Sequence, residues 1–206
     1  MRIGIFGGSF DPPHIGHLIL AAEAIEQLSL ERLLWVLARD PPHKQGLLKS
    51  SVQDRIEMVV LAIQDNPMFE LSRIDIDRPG PHYSIQTVKL VADRYPDSEC
   101  LLILGGDSLH DLPTWHEPAE LIKSVSAFGV MRRPHDQLNM DKLEKQLPGI
   151  WHKTVFLDAT LIDISAQNIR ERVMGGNHFR YYLPKAIYDY ICTKNLYKKR
   201  DEDFEK

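Results

Sequence analysis

His14 and His17 stand three residues apart, directly behind the run Gly7-Gly8-Ser9-Phe10-Asp11-Pro12-Pro13. Imidazoles at that spacing near the start of a helix share a face. Each can donate to an anion's oxygens, and protonation strengthens the contact. Two other readings fit the pair: a helix cap or buried histidine, and part of a metal site. The metal reading needs further ligands, and neither HExxH nor CxxC occurs in the chain. The glycines supply the other half of anion chemistry. Without Cβ atoms they let a ligand approach the backbone, and amides at a helix start attract phosphate. The run is neither a Walker A loop nor GxGxxG. Two glycines can equally make nothing more than a tight turn.

Other residues could serve the same chemistry. Lys44, in Pro41-Pro42-His43-Lys44, could aim a cation at phosphate from a stiff loop, although a lone loop lysine is ordinarily just solvated. Arg133 follows an apolar run within Arg132-Arg133-Pro134. In Gly105-Gly106-Asp107 the aspartate could accept from ribose hydroxyls or cap a helix over 108–112. Trp115 could stack on a planar ring or simply pack, whereas Trp35 and Trp151 read as packing residues. Ser165 sits where a helix begins, so it is first an N-cap. With the amides behind it and Arg170 about a turn and a half later, it could also hold a polyphosphate.

The elements that must position these residues alternate. RIGIF (2–6), LLWVLA (33–38), FELS (69–72), CLLILG (100–105), SVSAFGVM (124–131) and residues 153–157 read as short strands. Several are continuous apolar runs, as in a sheet buried on both faces. Residues 15–28, 52–64, 84–95, 165–174 and 184–195 carry helix-period patterns. This predicts an α/β fold, a Rossmann-like doubly wound parallel sheet with flanking helices. The chain reads as one domain over 1–206, with a small C-terminal helical part at about 165–196 and a charged tail over 197–206 that frays. In such folds a ligand lies beyond the carboxyl ends of the strands. The residues singled out above cluster just after strands.

Composition narrows the function class. The chain has 206 residues, a formal net charge of −4, 43% hydrophobic and 26% charged residues, so no global basic field draws in nucleic acid. With two cysteines, Cys100 and Cys192, a disulfide framework is not expected and a reducing, cytoplasmic setting is. The first residues lack a basic-then-apolar leader pattern, and no apolar run approaches a membrane span.

Taken together, HIGH (14–17) behind GGSFDPP and ISAQNIR (164–170) near the C-terminus resemble the nucleotidylyltransferase superfamily. With PPHK (41–44), GPHYS (80–84) and Thr87, GGDSL (105–109), Trp115 and RRP (132–134), the chain is similar to bacterial-type nicotinate-nucleotide adenylyltransferases from residue 1 to about 196. The resemblance implies that nicotinate mononucleotide and ATP are joined to give deamido-NAD and pyrophosphate, with no covalent enzyme intermediate. It implies that His14, His17 and Arg170 are catalytic, with His17 at the α-phosphate. Gly8, Ser9, Lys44, Arg133 and Ser165 would contact ATP and its phosphates, and Gly105 and Asp107 its adenosine portion. Phe10, Ser84 and Trp115 would belong to the mononucleotide side. Mg²⁺ is expected on the ATP phosphates, no metal site on the protein, and no nucleic acid or membrane partner; a homo-oligomer is compatible. Gln167 and Ser84 stand where the family commonly has threonine, and His82 where a small residue is common. The HxGH signature also occurs in pantetheine-phosphate adenylyltransferases and, as HIGH, in class I aminoacyl-tRNA synthetases. The first are usually shorter and lack PPHK and GPxY; the second carry KMSKS, which is absent here.

Overall fold

The computed structural model describes residues 1–39, 49–132, 137–160 and 162–198. Six parallel strands form one sheet: β1 (Arg2–Gly8), β2 (Arg32–Leu37), β3 (Phe69–Ser72), β4 (Glu99–Gly105), β5 (Ala127–Met131) and β6 (Thr154–Leu157), in the order β3-β2-β1-β4-β5-β6. The long helices are α1 (Ile15–Gln27), α2 (Val52–Ile63), α3 (Ser84–Arg94), α8 (Ala166–Met174) and α9 (Lys185–Lys194). The order of connection reverses between β1 and β4. Their carboxyl ends, Gly7-Gly8 and Gly105, therefore flank the crevice where doubly wound sheets bind ligands.

The apolar strands are continuous because both faces are covered. Leu33, Trp35 and Leu37 of β2, with Leu101 and Ile103 of β4, pack with residues of α1 and α2. Leu34, Val36, Leu102 and Leu104 point the other way, onto α3 and the short helices near it. Truncating one such fully buried leucine to alanine costs about 2–5 kcal/mol. A third, smaller cluster joins Met58 of α2 to Ile169 and Val173 of α8 and to Ile187 and Ile191 of α9. It seats the C-terminal helices against α2.

Several boundaries differ from the sequence expectation. β5 begins at Ala127 rather than at 124, because α5 (Pro118–Ser124) opens on a proline and occupies the preceding residues. α6 (Met140–Gln146) and α7 (Ile150–Lys153) are also additional, and α4 (Gly106–His110) begins two residues before the helix considered over 108–112. Helices of four to seven residues are too short to display a helical period. Trp151 is 49% exposed and does not serve as a core packing residue, unlike the fully buried Trp35. Among the described residues no helix is long and apolar enough to cross a membrane.

Candidate active site

The loop after β1 is fixed from below by aromatic rings. Phe10 adopts a positive φ of 47°, which turns its ring beneath the strand end. A Cβ on Gly8 would lie 2.7 Å from that ring, so glycine at 8 makes room for the phenyl group. The Phe10 and Phe6 rings then pack against His17, with centroids 5.2 and 5.9 Å away. His14 is the N-cap residue of α1, and His17 Nδ1 accepts its amide hydrogen at 3.1 Å. This fixes the tautomer. A neutral His17 whose Nδ1 accepts carries its hydrogen on Nε2. The two imidazoles stack, centroids 3.6 Å apart and planes at 26°. Capping and anion binding are therefore compatible roles for the pair.

Arg170 reaches this loop from α8, 159 residues away in sequence. Its Nη1 donates to the Asp11 carbonyl at 2.7 Å. Ser165 caps α8, its hydroxyl accepting the Asn168 amide at 3.1 Å. Gln167, at the position where threonine is common, donates its amide to Glu171 on the same helix at 2.8 Å. The fold thus brings His14, His17 and Arg170 to one loop. Lys44 and Arg133 lie outside the described residues.

Arg55 was not anticipated as a site residue. It is 1% exposed, on the apolar face of α2, and its guanidinium donates to the carbonyls of Ser9 (3.1 Å), Ala38 (2.8 Å) and Arg39 (2.8 Å). It ties the loop after β1 to the end of β2. The signal in the sequence is slight: an arginine four residues before Val59 and three before Met58, inside an otherwise apolar stripe.

A cavity of about 330 Å³ opens beside the β1 loop. Its floor is the outermost core layer, Ile5, Val36, Leu102 and Leu104. Gly7, Gly8 and Ser9 form one wall. A Cβ built on Gly7 meets no atom within 4 Å, so the absence of a side chain there leaves open space. Opposite are Ser84, at the start of α3, and Trp115. Tyr83 and His116 also line the cavity and stack on each other, centroids 4.1 Å apart. The volume, apolar floor and aromatic wall suit a small planar group held by a few polar contacts.

His82 also lines the cavity and is 6% exposed; its Nε2 lies 3.2 Å from the Arg78 carbonyl. Beneath it, buried Asp75 accepts from Thr87 Oγ1 and Arg78 Nε, both at 2.9 Å. Arg78 further donates to the Pro81 carbonyl and the Gln86 side chain. His82 is thus part of a polar support that holds residues 78–87 against the cavity.

Of the sequence-predicted residues, Gly8, Ser9, Ser84 and Trp115 line this cavity. The Phe10 ring does not; it is buried behind His17, so any contact with a ligand falls to its backbone. Gly105 is the N-cap of α4, and Asp107 is the second residue of its first turn, exposed. The capping role considered for Asp107 therefore belongs to Gly105. Among the described residues, no three His, Cys, Asp or Glu side chains gather as a metal site.

Residues 5–172 match the cytidylyltransferase-like family model. A Thermomicrobium roseum protein named "Probable nicotinate-nucleotide adenylyltransferase" is 41% identical over 96% of this chain and 92% of its own length. A Lactiplantibacillus plantarum protein of the same name is 38% identical over 97% and 90%. The structure of Plasmodium falciparum nicotinic acid mononucleotide adenylyltransferase complexed with NaAD superposes with a TM-score of 0.78 at 21% identity, covering 95% of this chain and 97% of that one. At that identity the superposition speaks to the fold, while the sequence relatives carry the assignment: the chain is a nucleotidyltransferase and belongs to the bacterial nicotinate-nucleotide adenylyltransferase family.

Proposed function

We propose that the protein joins nicotinate mononucleotide to ATP, giving deamido-NAD and pyrophosphate. A phosphate oxygen of the mononucleotide attacks the α-phosphorus in line. The new P–O bond forms as the α–β anhydride bond breaks, and pyrophosphate carries away the electron pair. The observation that carries this reading is positional. The ring-sized cavity and the His14–His17–Arg170 group share the loop that follows β1.

In this reading Trp115 and Ser84 hold the pyridine end, and the Gly8-Ser9 backbone lies between the two substrates. His17 donates from Nε2 to the α-phosphate, and His14 adds a second contact. Arg170 and the α8 start at Ser165 hold the β and γ phosphates that leave. Gly105 and Asp107 serve the adenosine portion. Lys44 and Arg133 are assigned to phosphate by resemblance alone. Mg²⁺ enters on the ATP phosphates, as suits a cation that keeps several of its waters. Rate enhancement then comes from alignment, worth about 7–11 kcal/mol in well-oriented cases, and from donors placed where charge develops.

The test is pyrophosphate release from ATP and Mg²⁺ with nicotinate mononucleotide, nicotinamide mononucleotide or phosphopantetheine as acceptor. We expect the highest kcat/KM with nicotinate mononucleotide. Turnover only with phosphopantetheine would overturn the proposal.

A further inference from the structure

Asp11 is 1% exposed, yet its carboxylate is surrounded by donors from three distant parts of the chain. A buried carboxylate is tolerated only where its oxygens are met. Oδ2 accepts the Lys49 amide hydrogen at 2.8 Å, from the segment leading into α2. Oδ1 accepts the Ser50 hydroxyl in a short contact, and the Tyr197 phenol at 2.8 Å. Arg170 Nη1 completes the set. It donates to the Asp11 carbonyl and stands 4.0 Å from Oδ2.

Tyr197 lies beyond α9, at the point where the sequence predicted a frayed charged tail. It is instead folded back with a φ of 63°. Burial, followed by the adjacent Asp11 charge, pushes its phenol well above the usual tyrosine range, so it remains a donor at every working pH. The same phenol is 3.3 Å from Ser50 Oγ.

We propose that Tyr197 is a positioning residue for Arg170, acting through the Asp11 carboxylate. The turn after α9 that carries Tyr197 is then part of the phosphate-handling machinery. The inference rests on the proposed role of Arg170. The phenol and the Ser50 hydroxyl hold Oδ1, which sets the rotation of the carboxylate. That rotation sets Oδ2 4.0 Å from the Nη1 that the Asp11 carbonyl already holds, so the carboxylate charge adds to the carbonyl in placing one edge of the guanidinium. The other edge is directed to phosphate.

A purely structural role and a positioning role separate in a double-mutant cycle. Tyr197→Phe and Arg170→Lys are made singly and together. Tyr190→Phe serves as the control, because it removes another phenol–carboxylate bond, to Asp54 at 2.9 Å, in the same C-terminal region. kcat and both KM values are measured with ATP and nicotinate mononucleotide, and ATP affinity by calorimetry. Tyr197→Phe is expected to lower kcat/KM for ATP about tenfold, the scale of one hydrogen bond to a charged group. The KM for the mononucleotide stays unchanged, and the effect shrinks below about twofold on the Arg170→Lys background. Tyr190→Phe is expected to leave kcat unchanged. Equal losses on both Arg170 backgrounds, or an equal loss in Tyr190→Phe, would overturn the proposal. Wild-type protein inactive with nicotinate mononucleotide would instead refute the proposed reaction, and the cycle would then be decided on ATP affinity.

Discussion

The imidazoles of His14 and His17 lie face to face, 3.6 Å between centroids, while the ring of one accepts the backbone hydrogen of the other at 3.1 Å. One hydrogen bond thus helps to cap the start of α1 and also sets which nitrogen of a neutral His17 carries the hydrogen. His17→Ala is expected to lower kcat on the order of 10²-fold or more, the scale for one lost transition-state donor. The lost cap should also cost about 1 kcal/mol of stability. A near-normal kcat in folded variant protein would remove His17 from the reaction.

Gly7→Val separates folding from binding. The new side chain projects into open space from a strand, where valine is favoured. Thermal unfolding is expected to stay within about 0.5 kcal/mol of wild type, while KM for the mononucleotide rises at least tenfold. Unchanged KM would mean that the cavity is not the binding site.

Trp115→Ala should raise KM for the mononucleotide far more than KM for ATP, because the indole lines the cavity but stands apart from the His14–His17 loop. Equal increases for both substrates would argue against ring stacking.

Arg55→Leu takes the donor from three carbonyls, those of Ser9, Ala38 and Arg39, in a part-buried setting. A carbonyl left unmet in a buried site costs about 1–3 kcal/mol; water can reach part of this set, and the expected loss is ~1–3 kcal/mol in urea unfolding. Arg55→Lys should recover only part of it, since an ammonium cannot reproduce the planar fork. Unchanged stability in the leucine variant would show that the carbonyls find other partners.

Asp54 supplies a pH test. Burial acts to raise its pKa, but hydrogen bonds from Ser51 and Tyr190 outweigh that and hold it below the ordinary aspartate value. A depressed folded pKa contributes stability above the unfolded value near 3.8, lost as pH falls through the folded value. The stability advantage of wild type over Asp54→Asn is therefore expected at pH 6 and should narrow towards pH 3. A gap that is constant with pH would contradict this.

Much of the fold was legible because the strands are buried on both faces and read as uninterrupted apolar runs. The helices α1, α2, α3, α8 and α9 span enough turns to show their period. The short helices between β4 and β6 do not. Within the site, the histidine pair was visible through its spacing, and Trp115 through its rarity in a loop. Arg55, Asp11 and Tyr197 were not visible. The bonds of Arg55 run to backbone carbonyls, which leave no trace in residue types. Asp11, before two prolines, looks like an ordinary turn residue, and its phenol partner stands 186 positions away. His82 likewise acquired a physical account only when the carbonyl of Arg78 and the cavity came together.

Among the described residues, the cavity-lining set and the His14–His17–Arg170 group both adjoin the loop after β1. Most of the cavity wall comes from α3, the strand floor and the residues around Trp115, while the histidines and the arginine depend on α1, α8 and, on the proposal above, Tyr197. Changes at residues 82–84 and 114–116 do not touch the hydrogen bonds described for Asp11, His17 and Arg170. On the proposed assignment, evolution or engineering could exchange the organic acceptor by remodelling residues 82–84 and 114–116 while keeping the nucleotide half.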